Sequence, residues 1–198
     1  PCDVVLNEQK TYGNWSPRNG SMARYGEMVT LKWGLAQSNN WISADLMSRI
    51  NPQDFLAFLR EFGFNTSGLY PSLALCLGPG EATVCEIVSA YTTFANGGIH
   101  CSPMFVTKIE DAEGNVVAEF KPIMNEVISE DCSYKMLELL RGVINNGTGG
   151  RVRYRYGINC DMGGKTGTTN RNADAWFVGF TPTLVSGCWV GGEDRDIH

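Results

Sequence analysis

The sequence predicts an α+β fold, a helical cluster packed on a mostly antiparallel sheet at the C-terminal end. Three observations support this. Apolar residues recur at helical spacing in several stretches, as in Met136, Leu137, Leu140, Val143 and Ile144. Two β-rich runs, 175–180 and 184–190, flank the turn Thr181-Pro182-Thr183 and read as an antiparallel hairpin. Finally, 198 residues that are 43% hydrophobic and 11% aromatic are enough for a single core. The whole chain, 1–198, therefore reads as one domain or a large piece of one.

Taken in order, residues 1–29 are turn-rich and are expected to wrap irregularly over a surface. Thr30 is placed to cap a helix over 31–37, because its hydroxyl can accept from a free N–H of the first turn. Ser38-Asn39-Asn40 interrupts that helix, and apolar spacing resumes at Ile42, Leu46, Met47 and Ile50. Pro52 suits the first turn of a further helix that stops at Gly63. Residues 64–80 form a long connection. Thr83 caps a helix over 84–94, closed by Asn96-Gly97-Gly98. A hairpin is expected over 104–120, turning at 112–115. Ser129 caps a strongly amphipathic helix that ends at Asn145-Asn146-Gly147. The basic, tyrosine-rich segment 151–156 reads as a solvated connecting loop.

The stretch with most chemistry is Gly163-Gly164-Lys165-Thr166-Gly167-Thr168-Thr169-Asn170. A lysine and hydroxyls beside a bare backbone suit a small anion. A phosphate loop needs a glycine at 159, where Asn159 stands, and a helix after the motif. Thr168, Thr169, Asn170, Arg171 and Asn172 favour no helix. Lys-Thr-Gly is therefore expected on or beside an edge strand, where a peptide end can bind by strand addition; a plain glycine-rich loop is the alternative. Ser38-Asn39-Asn40 has the form Ser-x-Asn. Its hydroxyl can relay a proton and its amide can hold a substrate carbonyl, or the triplet is only a capping break.

A net charge of −5 argues against nucleic acid, and no apolar run reaches the length of a membrane span. The seven cysteines form no C-x-x-C pair, and His100 and His198 are the only histidines, so neither zinc nor another cofactor is expected. Several cysteines are expected to be small buried apolar residues.

Ser-x-Asn followed by Lys-Thr-Gly-Thr is part of a motif set shared by penicillin-binding proteins and serine β-lactamases. The sequence resembles the transpeptidase domain of class A (bifunctional) penicillin-binding proteins over essentially its whole length. The resemblance includes residues 12–19, 29–31 and 35–38, then Ser89-Ala90-Tyr91-Thr92-Thr93-Phe94 and Asn96-Gly97-Gly98. It continues through Leu140-Arg141-Gly142-Val143, Gly147-Thr148-Gly149, 164–169 and 174–179.

The resemblance implies a penicillin-binding, β-lactamase-like fold and acyl transfer from D-alanyl-D-alanine stem peptides of peptidoglycan, with β-lactams as substrate mimics. It implies that Lys165, Thr166 and Thr168 hold the substrate carboxylate and that Gly167 clears the strand for it. Ser38 would pass a proton to the leaving group, Asn40 would bind the substrate amide and orient an upstream lysine, and Thr148 would shape the rim. It also implies a membrane-anchored parent outside the cytoplasmic membrane, with a glycosyltransferase domain as a further expected partner. The family's Ser-x-x-Lys is absent, since no serine here has lysine three positions on. The chain is therefore expected to be the C-terminal portion of the domain, incomplete at both ends and inactive alone. A carboxypeptidase or β-lactamase-type hydrolase and a non-catalytic ligand or scaffold module are the alternatives.

Overall fold

The computed structural model describes residues 1–193; His198 lies outside the described residues. The fold is α+β, and every strand pairing is antiparallel.

Helix α1 (Leu31–Ala36) starts where the Thr30 hydroxyl accepts from Trp33 N–H. Helix α2 (Asn40–Met47) starts at Asn39, so the predicted break falls on Ser38 and Asn39. It is shorter than the apolar spacing implied, since Ile50 lies beyond its end. Helix α3 (Pro52–Glu61) has Pro52 in its first turn, and Gly63 follows at φ +87°. Helix α4 (Val84–Ala95) opens with a reciprocal box: Thr83 accepts from Glu86 N–H, and the Glu86 carboxylate accepts from Thr83 N–H. Helix α5 (Glu130–Asn146) is capped by Ser129. It supplies the core, because Leu140, Val143 and Ile144 are fully buried. Burying three such side chains stabilises the fold by roughly 1.5–3 kcal/mol each.

The C-terminal sheet joins β7 (Gly163–Thr168), β8 (Asp174–Thr181) and β9 (Leu184–Gly191) in the order β7-β8-β9. Among the described residues β7 is an edge strand, as the sequence predicts. Its register sets Lys165 against Val178 and Thr166 against Phe177. Helix α5 packs on β7 and α4 on β9, so both helices lie against this sheet.

Several expectations need correction. Residues 1–29 are not wholly irregular, because β1 (Val4–Leu6) pairs with β2 (Met28–Thr30). These three-residue strands are too short to show alternation in the sequence. Likewise β3 (Ile99–Cys101) pairs with β6 (Met124–Glu126), an unpredicted ladder around the predicted hairpin β4 (Lys108–Glu110) and β5 (Val116–Glu119). The segment 151–156 is not simply a loop; it holds a short helix, α6 (Arg151–Tyr154). All seven cysteines are free and none is fully buried; Cys2, Cys85, Cys132, Cys160 and Cys188 are exposed.

Candidate active site

Three backbone features bring the motif residues together. The first is the turn between α1 and α2. Ser38 has φ +52°, the left-handed region that a side chain enters only at some cost. It is held there by Ser38 N–H to Leu35 O at 3.0 Å and by Asn39 N–H to Gly34 O at 2.9 Å. Asn39 locks the next helix: its Oδ1 accepts from Ile42 N–H, and its Nδ2 donates to Asn7 Oδ1 at 2.8 Å. Asn7 is fully buried and donates to the carbonyls of Ala23 and Arg24.

The second feature is the loop after α5. Thr148 N–H donates to Ala36 O at 3.0 Å, and Gln37 Nε2 donates to Asn146 O at 3.0 Å. A Cβ on Gly147 would stand 2.1 Å from Ala36 O, so only glycine permits this approach. The third feature is β7 itself. A Cβ on Gly164 would stand 2.5 Å from Val178 O, which ties that glycine to the strand pairing. Among the described residues no α-helix follows the strand. A single 3₁₀ turn at 170–172 comes next, with Arg171 and Asn172 at φ +59° and +58°, which confirms that the motif is not a phosphate loop.

On this frame the Lys165 ammonium donates to Ser38 Oγ at 2.8 Å and to Thr166 O at 2.8 Å. The Thr148 and Thr166 hydroxyls hydrogen-bond each other at 2.6 Å. Ser38, Lys165, Thr166 and Thr148 thus form one connected site. Burial pushes the Lys165 pKa down to about 8, and no carboxylate opposes that shift. A desolvated cation bonded only to neutral oxygens is suited to an incoming anion.

Asn40 is not joined to this cluster. Its backbone N–H donates to Asn19 Oδ1 at 2.7 Å and its Nδ2 to Arg18 O at 2.7 Å. With Trp41 Nε1 donating to Pro17 O, these bonds fasten residues 17–19 over the start of α2. Gly167 is closely spaced against Trp176, where a Cβ would lie 3.0 Å from the tryptophan Cβ. Thr168 is exposed at the strand end. Sequence reasoning missed Asn39, Asn7 and Gly147 as positioning residues. The capping pattern at Asn39 was a usable signal, whereas the link from Asn39 to Asn7 is long-range and left none. Among the described residues no three His, Cys, Asp or Glu side chains group as a metal site.

Helices packed on an antiparallel sheet, with a lysine–serine contact at the open strand edge, place the chain in the class of proteins with the penicillin-binding protein fold. Within that class, the chain belongs to the family described as the penicillin binding protein transpeptidase domain, which matches residues 3–186. Penicillin-binding protein 1A of Neisseria lactamica is 38% identical over 182 residues, 89% of this chain and 22% of the relative. The crystal structure of penicillin-binding protein 1A from Haemophilus influenzae superposes with a TM-score of 0.85 at 27% identity, covering 97% of this chain and 35% of that one. The D,D-transpeptidase domain of a peptidoglycan glycosyltransferase from Eggerthella lenta gives 0.75 at 26% identity, covering 90% and 51%. The chain thus spans about a fifth of the length of its Neisseria relative.

Proposed function

We propose that residues 1–198 are the C-terminal portion of a single transpeptidase domain. Its parent protein transfers acyl groups from D-alanyl-D-alanine stem peptides of peptidoglycan. The observation that carries this reading is the desolvated Lys165, bonded to Ser38 at 2.8 Å on the open edge of β7 beside the Thr148–Thr166 hydroxyl pair.

In this reading the C-terminal carboxylate of the donor peptide lies against Lys165, Thr166 and Thr168. A serine of a Ser-x-x-Lys segment, outside these residues, attacks the penultimate carbonyl and gives its proton to the lysine of that segment. An ester bond forms and the C–N bond to D-alanine breaks. The leaving nitrogen needs a proton. Ser38 Oγ accepts from Lys165, so its own O–H is free to donate, and Lys165 can replace that proton. An acceptor amine then attacks the ester, and the proton it loses returns to the serine oxygen as the ester bond breaks. Strand alternation supports an oxyanion role for Thr168 N–H. Thr166 O faces Lys165 rather than β8, and residues two apart on a strand face the same edge. Asn40 uses its Nδ2 on Arg18 O, and its Oδ1 has no partner among the described residues. That oxygen is left to accept from the substrate amide or from the upstream lysine. Gly167 keeps the strand clear beneath the bound peptide.

The same reading gives β-lactams as acylating mimics, no nucleic acid partner, and a membrane-anchored parent on the extracytoplasmic face that bears a glycosyltransferase domain. No described helix is itself long and apolar enough to cross a membrane. The test is product analysis with the full-length protein, a stem pentapeptide and an acceptor amine. D-Alanine release with amide formation is expected, reduced roughly 100-fold in Lys165→Ala. Hydrolysis without transfer would instead make the protein a carboxypeptidase. An unchanged rate in Lys165→Ala would overturn the assignment of that residue.

A further inference from the structure

A second concave site lies between the connection that follows α3 and the first turn of α4. It is a groove of about 870 Å³. That volume is within the range of pockets that take small ligands. Its polar lining includes Asn65, Ser67, Tyr70, Ser72, Thr83 and the two carboxylates of Glu81 and Glu86.

The groove has a fixed base. The Glu86 carboxylate accepts from Asn65 N–H at 3.0 Å and from the backbone and hydroxyl of Thr83 at 2.8 Å each. Leu75 is buried against Met47 and Leu56. A Cβ on Gly80 would stand 2.1 Å from Leu69 Cδ2, so the two arms of the connection are closely packed. On this base Tyr70 is 81% exposed, and its ring has no ring or hydrogen-bond partner among the described residues. The Ser67 and Ser72 hydroxyls are likewise without partners there. A long connection with an anchored floor that presents an unstacked aromatic ring and unused hydroxyls is built to hold something.

The chemistry selects the ligand class. Two carboxylates in the lining, on a chain of net charge −5, disfavour phosphates and carboxylates. The lining comes from a loop and a helix, so no strand edge is offered to an extended peptide. A flat aromatic face beside hydroxyls and an amide matches a pyranose ring. Such a ring stacks an apolar C–H face on the tyrosine and turns its hydroxyls to the polar groups. We propose that this groove binds a neutral sugar chain. The inference rests on the groove alone and is independent of the acyl-transfer reading.

Chitotetraose is a suitable probe, because it presents pyranose faces, hydroxyls and acetamides with no charge and no peptide. Calorimetric titration of the full-length protein should show saturable binding. Tyr70→Ala should weaken it at least about fivefold, while Tyr70→Trp keeps it within about twofold. Tyr70 is on the surface, so both variants are expected to fold. A trilysine peptide should not bind at this groove. Failure to saturate by ~10 mM, a Tyr70→Ala effect below about fivefold, or preference for the cationic peptide would each overturn the proposal. None of these results bears on acylation chemistry, which the sugar probe does not touch.

Discussion

Lys165 gives the site its character. Its pKa is lowered from 10.5 to about 8 by burial alone. The charged form is therefore disfavoured in the folded chain. The resulting stability penalty is fully present below about pH 8 and is relieved as pH rises towards 10.5. Two outcomes follow. The stability advantage of Lys165→Met over the unmodified chain should shrink between pH 8 and 10.5, as read from thermal midpoints across that range. Acylation of the full-length protein by a β-lactam should fall as pH rises through about 8, because the carboxylate binding and proton return proposed for Lys165 both need the ammonium. In Lys165→Arg the alkaline limb should disappear, since guanidinium keeps its charge. An unchanged limb in that variant would assign the titration elsewhere. At this scale the sequence was informative: Ser38, Lys165 and Thr166 were all legible from motif spacing. Their contact was not, because it joins residues 127 positions apart.

The elements explain why these residues meet. The turn at Ser38 depends on Asn39, which caps α2 and ties it to buried Asn7. Asn39→Ala removes both the cap and the link, and should cost about 2 kcal/mol in denaturant unfolding. It should also lower the acylation rate, because Ser38 loses its fixed position. Gly147→Ala places a methyl group against Ala36 O and pushes Thr148 away from Thr166. About 1–3 kcal/mol of destabilisation is expected, together with weaker binding of carboxylate-bearing substrates. Sequence reasoning found the helix ends because caps and glycine stops are local signals. It missed β1, β2, β3 and β6, each three residues long and stabilised only by a distant partner. It also missed α6, where a basic, tyrosine-rich composition outweighed a weak helical tendency in 151–154.

Across the molecule, α5 is the common support. Its buried residues Leu140, Val143 and Ile144 face inward, it packs on α1 and β7, and the loop at its C-terminus holds Thr148. Leu140→Ala should therefore cost roughly 2–5 kcal/mol and loosen both halves of the site together. The architecture was largely legible from sequence, since long amphipathic helices and the final hairpin are strong periodic signals. The expectation of buried cysteines failed because a thiol's apolar character does not say which surface it will meet; five of the seven are exposed. The central claim is that this chain holds the carboxylate-binding and proton-relaying half of a transpeptidase site whose nucleophile lies in another segment. Peptide mapping by mass spectrometry, after the full-length protein has reacted with penicillin, tests it most directly. The account predicts a penicilloyl adduct on one serine of a Ser-x-x-Lys segment and none on residues 1–198. An adduct on Ser38, or on any other residue of this chain, would contradict it.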